Sequence, residues 1–137
     1  MKKKLFLLCL IVLLFLPGCG EKHTPAEPDV VSSISTNRDQ YLTVVANCDE
    51  IEDKEAFAWK LIEMCQENSF HTIKFSTDRG YATRIRMSVY LWKDEIEGHD
   101  EVMEIEYEPV EFNMDYDIVN NPDKFELYVD GELVESQ

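Results

Sequence analysis

The strongest constraint on the fold is a pair of neighbouring segments in which apolar and polar side chains alternate. In residues 82–92 one parity is apolar, at Ile85, Met87, Val89 and Leu91. In residues 102–110 the apolar parity is formed by Met103, Ile105 and Tyr107. A period of two residues is typical of a β-strand with one buried face. The two segments therefore predict an antiparallel hairpin with one buried face and one open face.

The polar faces of this predicted hairpin carry opposite charges. Antiparallel pairing would set Arg84 and Arg86 near Glu106 and Glu108. Opposite charges across neighbouring strands are worth ~0.2–1 kcal/mol per pair. We therefore expect these pairs to help fix the register of the hairpin.

A helix is predicted upstream of the hairpin, from about Asp53 to Asn68. Asp49 or Asp53 can serve as the N-cap, and Asn68 with Ser69 ends the segment. The helical period gathers one apolar stripe and places Trp59 on the outer side. The stripe consists of Phe57, Ala58, Leu61, Ile62, Met64 and Cys65.

The remaining strands are predicted from shorter patterns. One strand is expected over Tyr41–Cys48 and another over Phe70–Ser76, with Ile73 and Phe75 inward. Phe125–Val129 alternates again, and a turn at Asp130-Gly131 leads to a last short strand. A strand, a helix and then three or four strands predict an α+β fold. We expect a small two-layer domain, mostly antiparallel β-sheet with one α-helix packed on one face.

The N-terminus has the pattern of an export leader. Lys2, Lys3 and Lys4 precede an unbroken apolar run over residues 5–16. A stable membrane span needs roughly 20 such residues, so this run is predicted to direct export and not to remain in the bilayer. Positive charge stays on the cytoplasmic side, which directs the following chain outward.

The run ends at Leu16-Pro17-Gly18-Cys19, which resembles the lipobox of bacterial lipoprotein precursors. The family has an aliphatic residue at −3, a small residue at −1 and then Cys; Pro17 departs from the Ser, Ala or Thr preferred at −2. The resemblance implies that Cys19 receives a diacylglycerol and becomes the mature N-terminus after cleavage. Two acyl chains would then anchor the protein durably, at ~0.8 kcal/mol per buried CH₂. The resemblance covers only the first 20 residues.

These patterns divide the chain into three parts. Residues 1–18 are the predicted signal peptide, 19–38 a flexible tether and 39–137 a single α+β domain. The tether contains Pro25, Pro28 and several Ser and Thr, and would reach roughly 23 Å as a random coil. His23 is expected to be a solvated part of this spacer.

The charge of the chain excludes several classes of partner. The formal net charge is −15, and it becomes −18 once the three leader lysines are removed. Such a domain repels nucleic acid and anionic headgroups, so we expect no nucleic-acid partner. The acidity favours a basic partner or loosely held cations, or else serves solubility alone.

The cysteines and histidines of the predicted domain suggest no metal or cofactor. Cys48 ends the first strand while Cys65 lies roughly 18 Å along the helix, too far for a disulfide or a shared metal. Both are therefore expected to be buried free thiols. His71 is predicted to lie at the core edge, bonded to backbone, and His99 in a solvated loop.

No catalytic motif is present in the sequence. It has no nucleophile elbow, no glycine-rich phosphate loop and no paired histidines. Residues 113–117 resemble the start of a calcium loop, but Ile118 and Lys124 occupy positions that require Gly and Glu. At most a weak, irregular cation site is expected there.

The face of the sheet opposite the helix is the predicted partner surface. Aromatic and Arg side chains are enriched at binding hot spots. Alternatively, these residues form cross-strand pairs that only stabilise a wet sheet face. The candidate residues are Tyr41, Arg84, Arg86, Tyr90, Trp92 and Tyr128; Trp59 is a second candidate.

The sequence thus predicts a lipoprotein anchored at the outer face of the cell membrane, with no enzymatic activity. Its domain is expected to bind an envelope protein or ligand, with no cofactor. Two alternatives remain: a hydrolase-type enzyme with an unrecognised carboxylate pair, and a lipoprotein inhibitor of a secreted enzyme. A deep cleft holding two carboxylates and His71 would favour the enzyme, and a flat open sheet would favour binding.

Overall fold

The computed structural model describes residues 23–135; the predicted signal peptide and Cys19 lie outside that range. Six strands and one α-helix follow in the order β1, β2, α1, β3, β4, β5, β6. Their bounds are Asp29–Thr36 (β1), Asp39–Val45 (β2), Lys54–Glu67 (α1), Arg84–Tyr90 (β3), Met103–Pro109 (β4), Phe125–Val129 (β5) and Glu132–Val134 (β6).

The six strands form one sheet in sequence order, β1-β2-β3-β4-β5-β6. Strands β2 and β3 are parallel, and every other neighbouring pair is antiparallel. A parallel pair needs a crossover, and α1 lies in that connection. The predicted α+β fold, a mostly antiparallel sheet with one helix on one face, is confirmed.

The ends of α1 are set by the residues that the sequence indicated. The Asp53 carboxylate accepts a hydrogen bond from the Ala56 amide at 3.0 Å, which satisfies a free N–H of the first turn. At the other end Asn68 adopts a left-handed conformation, with φ 54°, as Asn tolerates at helix C-termini. The helix buries Ala58, Leu61, Ile62 and Cys65 against the sheet.

An aromatic cluster forms part of the contact between α1 and strands β4 and β5. Tyr107 is buried, stacks on Phe125 with ring centroids 4.9 Å apart, and meets the edge of Trp59 at 6.3 Å. Burial raises the pKa of Tyr107 to about 12. The prediction that Trp59 faces outward is wrong, because the half-buried indole meets the Tyr107 ring and packs against the core.

The strand predicted over Phe70–Ser76 is also wrong, since this segment is a loop. Phe70 is fully buried, and the partly buried Phe75 packs edge-on against it at 5.9 Å, so the apolar residues of this segment fill the core without forming a strand. The Asn68 side chain donates to the Phe75 carbonyl at 3.0 Å and accepts from the Phe75 amide at 2.8 Å. These bonds satisfy backbone groups that a strand would pair in a ladder.

The prediction of a flexible tether over residues 19–38 is wrong for residues 29–36, which form β1. Residues Asp29–Thr36 pair antiparallel with β2 along its whole length. Val30, Val31 and Ile34 give the segment the β-branched content of a strand despite its serines. Asn37 takes φ 56° in the short turn to β2, which is the role of Asn in tight hairpins.

Both cysteines of the domain are free thiols, as predicted. Cys65 is buried, and burial raises the pKa of its thiol. Cys48 is only partly buried, which differs from the expectation of full burial. Its position just beyond the end of β2 places it at the edge of the core.

Three carboxylates have lowered pKa values, and each accepts hydrogen bonds from nearby side chains or backbone amides. Partial burial alone would raise the pKa of Asp29, but hydrogen bonds from the Thr72 hydroxyl and from backbone amides, including those of Thr72 and His71, lower it. Partial burial alone would also raise the pKa of Asp117, but hydrogen bonds from Asn120 and Val119 lower it. A hydrogen bond from Lys54 is the largest cause of the lowered pKa of Asp130.

These carboxylates predict a loss of stability in acid. A carboxyl group with a lowered folded-state pKa stabilises the fold above its unfolded pKa of about 3.9, and this contribution disappears as pH falls through the folded-state pKa. We expect the free energy of unfolding in urea to be lower at pH 3 than at pH 7. Asp117→Asn should shrink that difference, whereas the matched change at exposed Asp123 should leave it unchanged. An equal effect of both variants would contradict the assignment.

Candidate functional site

One row of side chains crosses all six strands on the face opposite α1. Each residue in this row is the direct cross-strand partner of the next one. In ordinary sheet geometry the Cβ atoms of two such partners are roughly 4.5–5.5 Å apart. We call it the face row; it consists of Ile34, Tyr41, Arg86, Glu106, Tyr128 and Leu133.

Ion pairs occupy the middle of this face. Arg86 Nη2 lies 2.9 Å from Glu106 Oε1, and Arg84 Nη2 lies 2.9 Å from Glu108 Oε2. The sequence-based prediction of these two pairs is confirmed. Exposed pairs of this kind contribute little to stability, about 0–1 kcal/mol. Their charges mainly fix the register and give the centre of the face a defined polarity.

Apolar side chains occupy the two ends of the face row. Ile34 on β1 is 65% exposed and Leu133 on β6 is 54% exposed, with Tyr41 beside Ile34 at 40%. Tyr128, the partner of Leu133, donates its hydroxyl to Glu126 at 2.8 Å, and this bond raises the pKa of Tyr128. Ile34 and Leu133 were missed from the sequence, because Ile34 lies in the predicted tether and the orientation of the last strand was not assigned.

Trp92 does not belong to the exposed face, which corrects the sequence-based prediction. Only 6% of its surface is exposed, although Tyr90 two residues before it remains half-buried. Trp92 lies just beyond the end of β3, where the strand alternation no longer applies. Its indole Nε1 donates to Asp49 Oδ1 at 3.2 Å, and the His23 ring stacks on it with centroids 4.3 Å apart.

Residues 23–28 are fastened to the domain at several points. His23 Nε2 lies 2.9 Å from Asp94 Oδ1, in addition to its stacking on Trp92. The Ala26 amide donates to the Asn47 carbonyl at 3.1 Å, and the Asn47 side chain donates to the Glu27 carbonyl at 2.8 Å. Lys60 on α1 pairs with the Glu27 carboxylate at 2.6 Å. The expectation of a free spacer is therefore wrong for residues 23–28, although His23 itself is exposed.

A groove of about 600 Å³ lies between this N-terminal segment and α1, and it contains two carboxylates and His71. These are the groups that the hydrolase alternative requires. The Asp29 carboxylate, however, already accepts bonds from His71 and Thr72, and Glu27 is held by Lys60. His71 is exposed and not at the core edge as predicted, since its backbone amide and not its ring is the group fixed by Asp29.

A second groove lies at the opposite end of the sheet, beside the turn between β1 and β2. Its volume is about 320 Å³, and its lining includes Arg38, Arg84, Phe112 and Met114. Phe112 is 91% exposed, and Arg38 donates to the Met114 carbonyl. This end of the open face therefore combines apolar side chains with guanidinium groups.

Asp117, the last residue of the candidate cation segment at residues 113–117, is held by amides of the residues that follow it. The Asp117 carboxylate accepts hydrogen bonds from the amides of Val119 at 2.9 Å and Asn120 at 2.7 Å, and from the Asn120 side chain at 2.8 Å. Within residues 23–135 no group of three or more His, Cys, Asp or Glu side chains is placed to hold a metal ion. Asp117 thus closes a turn in this segment.

Two further findings concern membrane-spanning helices and similarity to known proteins. In the described part of the chain, no helix has both the length and the apolar character required to cross a bilayer. No family model, no curated protein and no solved structure matches this chain.

Proposed function

We propose that this protein is a lipid-anchored extracytoplasmic binding module. It is attached to the outer face of the cell membrane through diacylglyceryl-Cys19 and contacts an envelope protein with its open sheet face. The observation that carries the binding function is the face row, which presents exposed Ile34, Tyr41 and Leu133 on the side of the sheet opposite α1.

The face row has the composition of a protein contact surface. Aromatic and arginine side chains supply large contact areas and are common at hot spots, and here an aliphatic side chain lies at each end of their row. The ion pair between Arg86 and Glu106 gives a partner two opposite charges to match at the centre of the face. Such complementarity favours specificity over raw affinity.

The fastened N-terminal segment would keep the domain close to the membrane. From Cys19 to His23 the chain can reach at most about 14 Å, since an extended residue spans no more than ~3.6 Å. Over residues 23–38 the fastened segment and β1 replace the predicted random coil, so only residues 19–22 would separate the lipid from the domain. β1 begins at this end, whereas the β1–β2 turn and Phe112 lie at the far end of the sheet. The open face would then stand beside other membrane-attached proteins.

The carboxylates on the sheet are arranged for pairing and not for acid–base chemistry. Glu106 and Glu108 each face an arginine at 2.9 Å, so neither is available as the partner of the other. In the groove with His71, Asp29 has a lowered pKa and remains ionised, which does not suit a general acid. These contacts support binding over hydrolysis as the function.

The proposal predicts contact-specific crosslinking. A photo-crosslinking amino acid placed at Tyr41 or Tyr128 should couple the protein to the same envelope protein in living cells. Tyr81 is a matched control, because its exposure of 38% is close to the 40% of Tyr41 while it lines a pocket beside α1 with Gln66. The same product from all three positions, or from Tyr81 alone, would refute the sheet face as the contact surface.

Removal of the two tyrosines should weaken that interaction. We expect Tyr41→Ala combined with Tyr128→Ala to lower affinity for the crosslinked partner at least about tenfold, because hot-spot aromatic residues carry most of the binding energy. Tyr81→Ala should leave affinity unchanged. Surface plasmon resonance with the purified partner measures both, and thermal unfolding checks that the variants remain folded.

A further inference from the structure

The two edges of the sheet differ in length and in protection. β6 has three residues and is followed at once by Glu135, so it offers little backbone to another chain. β1 has eight residues and forms the opposite edge. Among residues 23–135, β1 pairs only with β2, and no hydrogen bond is made to the outer side of residues 30–36.

The usual protections of an exposed edge are mostly missing from β1. Native edge strands are commonly blocked by Lys, Pro, inward charges, bulges or a covering loop. Residues 30–36 contain no charged residue and no Pro. A bulge interrupts the register between Val30 and Ser32, but pairing from Ser32 to Thr36 is regular. This part of β1 is therefore an available template for another strand.

The side chains beside this edge would give such pairing specificity. Ser32, Ile34 and Thr36 are exposed along β1, with Ile34 at the end of the face row. An added strand would place every second side chain on the open face, one of them next to Ile34. An aliphatic residue at that position would cover the exposed Ile34, and the face row would extend across a seventh strand.

We propose that β1 accepts an extended, lysine- or arginine-flanked segment of a partner protein by β-strand addition. The charge of the chain selects this occupant. The formal net charge is −15 before the leader lysines are removed, and an acidic domain attracts a cationic segment over a distance of about 10 Å. This inference depends on neither the lipid anchor nor the tyrosines of the face.

A second copy of the chain fits this edge less well. Two equally acidic domains repel each other, and residues 30–36 of β1 have no charges to offset that repulsion. Antiparallel pairing of two β1 strands would also place the two N-terminal segments at opposite ends of the joined sheet. The edge therefore favours a basic heterologous segment over self-association.

The test uses the processed protein in detergent and synthetic peptides in which Thr and Ile alternate between lysine-rich ends. The lysine-ended peptide should bind and protect amides of residues 30–36 from hydrogen exchange. Glutamate-rich ends should weaken binding about tenfold or more. N-methylation of the peptide backbone along one edge removes its pairing hydrogen bonds, so one of the two alternately methylated peptides should lose binding.

Two matched variants locate the site. Ile34→Lys places a cation on the accepting edge and should weaken the lysine-ended peptide about tenfold or more. Leu133→Lys makes the same change at the other end of the face row, with similar exposure, and should have no effect. Absence of binding, equal effects of the two variants, or unchanged binding of both methylated peptides would overturn the proposal. Protection of residues 30–36 that grows with protein concentration alone would overturn it in favour of a second copy.

Discussion

Replacement of Cys19 by Ser is expected to abolish the proposed acylation of this protein and, with it, the proposed attachment to the membrane. The serine hydroxyl cannot replace the thiol that forms the thioether to diacylglycerol. The apolar run over residues 5–16 is shorter than the roughly 20 residues of a stable span, so it cannot substitute for the lipid. A single acyl chain gives only marginal binding and two give durable anchoring, so the difference should be close to all or none.

The leader supplies its own control for this experiment. Cys9→Ser changes a thiol in the same leader, within the apolar run and outside the lipobox, and should leave acylation intact. Labelled fatty acid incorporation measures the modification, and mass spectrometry measures whether residues 1–18 have been removed. If Cys19→Ser were processed and retained at the membrane as the unchanged chain is, both the anchor and the proposed location would be wrong.

The parts of the fold that sequence predicted well are those where short-range pattern and burial agree. Alternation over residues 82–92 and 102–110 gave the two central strands, and the charges of Arg86 and Glu106 gave their register. The helix bounds followed from Asp53 and Asn68, whose side chains or backbone satisfy the free groups at its ends. In each case the local preference and the tertiary contact favour the same conformation.

The errors arose where a contact that the apolar alternation does not show decides the conformation. The segment containing Phe70 and Phe75 alternates like a strand, but Asn68 satisfies its backbone and two rings fill the core. The serine-rich segment around Ile34 has a linker composition and becomes a strand because β2 lies beside it. On the predicted surface, Trp92 is covered by His23, a residue 69 positions earlier in the chain that no local pattern connects to it.

The contact between His23 and Trp92 joins the N-terminal segment to the domain, so we expect substitution of Trp92 to have a large effect. Trp92→Ala should lower the free energy of unfolding by about 3 kcal/mol, since it empties the space of a large buried ring. The melting temperature should fall by roughly 10–20 °C. Trp92→Phe keeps an apolar ring and loses the bond to Asp49, so its cost should be nearer about 1 kcal/mol. Urea unfolding followed by circular dichroism measures both values.

The same substitution tests whether Trp92 holds residues 23–28 against the domain. Without the indole, the His23 ring loses its stacking surface, and the amide of Ala26, bonded to Asn47, should exchange its hydrogen faster while amides of β3 change less. His23→Ala should give the local effect with a much smaller loss of stability, because His23 is exposed and its surface contact with Asp94 contributes at most about 1 kcal/mol. If Ala26 kept its protection in both variants, the segment would be held by Glu27 and Pro28 instead. The attachment of residues 23–28 to the domain would then not depend on Trp92.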